Sequence, residues 1–212
     1  MTIDHDPRRC AEKRWTFYAH MAKALSYPDQ ELVSELLDCS FIAGLLASVD
    51  GWACPRVQNT LTNLQNDVDL RADSPENLLL DLEKDYTHMC FASKPRQVYL
   101  FESVYKEGKL LQESTFNVAR MIYESGLKVE DSFDMPPDHI AVEFELMSYL
   151  YFNELQSQKD GYEDKRALSQ RLQERMLDEH LRSFAPKVAE GFETYAKTPF
   201  YRAMGECIKT PL

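Results

Sequence analysis

From Trp15 to Ile208 the large apolar residues fall three and four positions apart, and no apolar–polar alternation persists between them. That period belongs to a helix, because 3.6 residues per turn bring positions i, i+3, i+4 and i+7 onto one face. Glycine occurs only 7 times in 212 residues, while Leu, Glu, Ala, Gln, Lys and Met are frequent. The chain is therefore expected to be all-α, a multi-helix bundle of about ten helices. The core stripes are long enough to pack together, so one domain is expected over residues 1–212, with a flexible loop at 92–100. A chain of this size buries roughly 70% of its unfolded surface and needs no disulfide or metal to hold a core.

Punctuation residues place the helices. Asp6-Pro7, Ser74-Pro75 and Thr198-Pro199 each set a capping residue before a proline at the first helical position. Tyr27-Pro28 stops the first helix, and Gly51, Gly108, Gly126 and Gly161 close later ones. Pro55 opens a helix carrying Val57, Leu61, Leu64 and Val68. Pro136-Pro137 cannot lie inside a helix, which leaves Asp138 to cap the next one. The run Ile140–Gln158 is apolar nearly all round and belongs at the centre of the fold. Gly161 separates it from a helix over Tyr162–Leu177, and Leu181 to Tyr195 marks the penultimate helix.

The formal net charge of -11 repels nucleic-acid phosphates and favours a basic ligand or simple solubility. Five cysteines without a CxxC pair speak against a disulfide framework and for a reducing compartment, so a cytoplasmic location is expected. The first twenty residues hold Arg8-Arg9 but no apolar stretch behind them, so no export signal is expected. No apolar run is long enough for a bilayer, so no stable membrane insertion is expected.

Motifs of catalysis are missing. There is no phosphate loop, no GxGxxG and no GxSxG. His88-x-Cys90 and His5 with Cys10 have metal-like spacing but no second pair, so no metal site and no cofactor are expected. His20, His139 and His180 stand alone, and the pairs Asp81/Asp85 and Glu143/Glu145 read as solvated faces. Two clusters remain. Phe101-Glu-Ser-Val-Tyr105 sets a carboxylate among aromatics just after a loop. Pro136-Pro-Asp-His-Ile140 stiffens the backbone and then starts a helix. The helix dipole disfavours an imidazolium at His139, so a neutral ring acting as a hydrogen-bond partner is expected there.

The stretch Met135–Met147 resembles a signature of the TorD/DmsD/NarJ-type chaperones, a Pro-Asp-His element running into a helix of Glu and large apolar residues. Phe101–Tyr105, followed by Gly108 and Leu110, looks like the same family's Tyr-Glu-Ser-Val-Tyr segment. Leu177-Asp-Glu-His-Leu181 and Thr198-Pro-Phe-Tyr-Arg202 resemble its C-terminal helices. These matches keep the family's order over about residues 75–205. Phe101 stands where the family usually has Tyr, Val98-Tyr-Leu100 replaces its double proline, and Cys90 stands where Phe is common.

The resemblance implies an all-helical cytoplasmic chaperone that is not an enzyme. Its partners would be the apo catalytic subunit of a molybdopterin oxidoreductase and that subunit's twin-arginine signal peptide. It would assist cofactor insertion and hold back export until maturation. Carried over, the peptide-binding residues are Phe101, Glu102, Tyr105, Asp138 and His139, with Pro137 architectural and no catalytic residue. Glu102 and Asp138 would pair with arginine bidentately, and aromatic neighbours would stack on it. The alternatives are an assembly adaptor for a redox complex without signal-peptide recognition and a weak nucleotide-binding protein. A monomer and an element-exchanged dimer are both compatible with helices joined by long loops.

Overall fold

The computed structural model describes residues 6–51, 55–69, 74–92, 96–128 and 135–211. His5, Cys54 and Pro95 lie outside the described residues, as does 129–134 of the acidic stretch before Pro136. The all-α expectation holds. The helices are α1 (Pro7–Leu25), α2 (Gln30–Leu37), α3 (Ser40–Val49), α4 (Pro55–Asp69), α5 (Pro75–Thr87), α6 (Glu102–Glu107), α7 (Glu113–Glu124), α8 (Ile140–Asp160), α9 (Glu163–Arg175), α10 (Arg182–Tyr195) and α11 (Pro199–Ile208). Two π-helical stretches, π1 (His88–Ala92) and π2 (Met176–Leu181), continue α5 and join α9 to α10.

α8 sits at the centre, as its all-round apolar surface demands. α1 lies along one side of it and α9 along another. Tyr18 of α1 meets Phe144 edge-on at 5.5 Å and stacks on Tyr151 at 5.7 Å, so aromatic packing fixes this central pair. α3 and α4 extend the core beyond α1, α11 closes it, and one apolar cluster runs from Ala11 to Ile208. Polar ties set the ends. The buried Asp85 carboxylate of α5 accepts the Lys197 and Thr198 amides and the Thr198 hydroxyl, at 2.7–3.1 Å, where α10 hands over to α11. Asp85 is therefore not part of a solvated face, and neither is Glu143, which is fully buried.

Two expected boundaries differ. Tyr162–Leu177 and Leu181–Tyr195 are not separate helices, because π2 carries the backbone through from Glu163 to Tyr195. The buried residues explain this: Leu172 to Met176 is four positions, but Met176 to Leu181 is five. One extra residue per turn keeps Leu181 facing the core, and a π turn supplies it. Asp138 does not cap α8. His139 does, with its Nδ1 accepting the Ala141 amide at 3.2 Å, because a turn with the His139 amide donating to the Pro136 carbonyl shifts the register by one. Ser74 occupies the cap position of α5 without a side-chain cap bond, whereas Asp6 and Thr198 cap as expected.

Candidate functional site

Two short extended pieces meet beside the N-terminus of α8. Phe101 and His139 form an antiparallel bridge, the one isolated bridge among the described residues. The Ile140 amide donates to the Leu100 carbonyl at 2.8 Å, and the Glu102 amide donates to the Asp138 carbonyl at 2.9 Å. The Asp138 carboxylate adds a third bond, with Oδ2 accepting the Ser103 amide at 2.9 Å. Asp138 thus caps the first turn of α6 from across the chain, rather than its own helix. The Phe101 ring meets the His139 ring edge-on at 5.0 Å. Pro136 and Pro137 hold the turn that presents Asp138 and His139.

His139 is buried, and burial pushes its imidazole down to about 4, with the neighbouring Asp138 charge opposing. The ring is neutral, as the helix dipole leads one to expect, and its lone pair serves the cap.

Behind this clasp lies a buried charged cluster. The Glu102 side chain has 0% exposure. Its Oε1 accepts from Lys106 Nζ at 3.0 Å, and its Oε2 is 2.7 Å from His180 Nδ1 of π2. A carboxylate only accepts, so His180 Nδ1 carries the hydrogen. Lys106 also donates to the Glu179 carbonyl at 3.0 Å, and Ser183 to Glu102 Oε1 at 3.4 Å. Glu143, from the first turn of α8, completes the group. Both its carboxyl oxygens are buried without a hydrogen-bond partner. Burial, and then the Glu102 and Asp138 charges, hold its pKa well above the carboxylate range, against Lys106. One ligand atom from each of Glu102, Glu143 and His180 lies within 4.8 Å of the others.

Aromatic groups line the outer side. Tyr105 donates its hydroxyl to the Tyr99 carbonyl at 3.0 Å and lies 6.0 Å from Phe184. Burial raises the Tyr105 hydroxyl to about 12. The Arg96 guanidinium stands over both Phe91 and Tyr99, at 5.6 and 5.7 Å. Lys187 stands 5.8 Å from the Tyr105 ring.

The structure brings Phe101, Glu102, Tyr105, Pro137, Asp138 and His139 into one region. It divides them by depth. Glu102, Asp138 and His139 are buried, while Phe101, Tyr105 and Pro137 are half-buried. His180, Glu143 and Lys106 belong to the same site; His180 and Glu143 escape short-range spacing because the cluster they join is built from other elements, whereas Lys106 stands four residues from Glu102 on α6. No spacing in the sequence flags the turn holding His180, since Leu177 and Leu181 stand the usual four apart.

A bundle wrapped round a buried carboxylate–imidazole cluster, with a two-piece clasp at the start of its central helix, defines an all-helical class without a nucleotide-binding sheet among the described residues. Within that class the chain belongs to the nitrate reductase delta subunit family, whose model matches residues 53–190 and so spans the clasp and the cluster. This bears out the resemblance to the TorD/DmsD/NarJ-type chaperones. The chain is similar to Chaperone protein TorD of Vibrio parahaemolyticus, 21% identical over 200 residues covering 93% of this chain and 88% of that protein. It is also similar to Chaperone protein TorD of Escherichia coli, 26% identical over 129 residues, 61% of this chain and 59% of that relative's length. No solved structure matches the chain.

Proposed function

We propose that this protein is a cytoplasmic chaperone, without turnover of its own, for the apo catalytic subunit of a molybdopterin oxidoreductase. It binds that subunit's twin-arginine signal peptide, assists cofactor insertion and delays export. The observation that carries the reading is the family match across residues 53–190, with relatives named as chaperones. Among the described residues no single helix is long and apolar enough to cross a membrane.

The depth of the site shapes how a peptide would engage it. Phe101 and Tyr105 offer aromatic surface. Glu102 Oε1 is held by Lys106, which is itself 37% exposed. A peptide arginine reaches Glu102 by taking the place of the Lys106 ammonium, and its planar fork then binds the carboxylate more specifically than a lysine does. Arg96 between Phe91 and Tyr99 illustrates a guanidinium seated on aromatic faces in the same neighbourhood. Asp138 and His139 keep the clasp shut behind that contact.

Isothermal titration with a twin-arginine signal peptide and its Lys-Lys version tests this. The expected result is micromolar or tighter binding, weakened by the Lys-Lys change and by Asp138→Ala or His139→Ala with the helical content intact. Equal affinity for both peptides, or no affinity for any of several candidate signals, overturns signal recognition. Binding of the folded, cofactor-loaded enzyme as well as the apo form would favour an adaptor instead.

A further inference from the structure

We propose that Glu102, Glu143 and His180 form a site for one divalent first-row cation, zinc or a metal of similar ligand preference. The three side chains come from α6, α8 and π2, 41 and 37 residues apart in sequence, so no short metal-ligand motif announces them.

The geometry comes first. One donor atom from each residue lies within 4.8 Å of the other two. A cation about 2.0–2.2 Å from each of three donors sets those donors roughly 3–4 Å apart, so small side-chain rotations suffice. Lys106 occupies Oε1 of Glu102, which leaves Oε2 facing His180. Both Glu143 oxygens are enclosed with no partner. A carboxyl group left so in a dry interior keeps the full penalty of its lost hydration, and a cation removes that cost.

Charge balance points the same way. The groups facing the cluster are Glu102 and Lys106 of α6, Asp138 and His139 of the clasp, Glu143 of α8, and His180 and Ser183 beyond it. Three of these are carboxylates and one is an ammonium, while His139 is neutral. A divalent cation offsets the difference.

Donor type narrows the metal. Two carboxylates and an imidazole suit zinc, manganese or ferrous iron; magnesium prefers a hydrated all-oxygen octahedron. No cysteine belongs to the group, which excludes a thiolate site. The π turn contributes the placement of His180. Such turns cost helix energy and are retained where they aim a side chain.

Because the site is closed, loading is done by refolding. The full chain is unfolded, then refolded with one equivalent of zinc, cobalt or magnesium, or with a chelator, and desalted. The expected result is about one zinc or cobalt retained per chain and a melting temperature several degrees above the chelated protein, with magnesium giving neither. Cobalt should show visible d–d bands without near-ultraviolet thiolate charge transfer. Glu143→Gln and His180→Gln should lose retention, while Cys10→Ser and Cys39→Ser, at exposed thiols, keep it. No retained metal, retention unchanged in both ligand variants, or a thiolate charge-transfer band each overturns the proposal. Should the ligand variants fail to fold, the wild-type cobalt spectrum and the zinc-dependent melting shift decide it alone.

Discussion

His139 carries a lone pair into the start of α8, and acid acts against that. Its folded pKa of about 4 lies below the ordinary imidazole value of 6.5. Between those values the unfolded chain takes up a proton that the fold refuses, so stability present above 6.5 is lost as pH falls towards 4. The full effect is on the order of 3 kcal/mol. His139→Asn keeps a side-chain oxygen for the Ala141 amide but does not titrate. Melting temperatures of the variant are expected to fall less steeply over that window than those of the wild type; parallel curves would assign the acid sensitivity to another group. At this scale a neutral His139 was expected from the helix start, but burial, which the local sequence does not mark, is what lowers its pKa. The burial of Glu143 was not legible in the sequence either. Its carboxylate lies on a helix that is apolar on every side, and Glu145, two positions on, is exposed.

Elements here hold one another by close approach. A Cβ on Gly191 of α10 would lie 2.8 Å from Val98 Cγ2. Val98 is buried, in the extended piece that reaches Phe101, and its amide donates to the carbonyl of Met89, the second residue of π1. Gly191→Ala is therefore expected to destabilise by about 1–3 kcal/mol by pushing that piece away from α10. Val98→Ala in the same chain should recover part of the loss, because the two sites are coupled. Chemical denaturation of the four proteins of this cycle measures it, and strictly additive losses would remove the contact from the explanation. Element types and order were readable from periodicity, and so were the caps Asp6 and Thr198. The run through π2 was not, although neither proline nor glycine stands there to break it, because a π turn leaves no mark of its own in helical spacing. Pro186 even lies inside α10, four residues in, where it gives no amide to the Arg182 carbonyl just past the π turn.

At the scale of the whole molecule the excess of acid, -11 overall, raises the rate at which a basic peptide arrives but does not choose it. Raising salt from low to physiological should slow association with a twin-arginine peptide several-fold while changing its dissociation little. Glu102→Gln should cost affinity at low salt more than at high salt, followed by stopped-flow fluorescence. A loss of equal size at both ionic strengths would mean the carboxylate acts by holding His180 and Lys106 in place rather than by pairing with the peptide. The bundle and its central helix were legible because burial is written in the apolar period. The cluster was not, since residues 102, 143 and 180 become neighbours only when three elements pack. The bridge of Phe101 to His139 also has a consequence for the order of events in folding. It closes a ring of chain that contains α6 and α7. The pair α1 and α8 spans more chain still, but buried aromatic packing repays its closure, whereas the bridge is repaid by a few backbone hydrogen bonds, so α1 and α8 can pair early while the ring is still open. The Glu102 and Ile140 amides should then be among the last to gain protection in pulsed hydrogen exchange. A newly made chain would spend its first moments with a formed core and an open clasp.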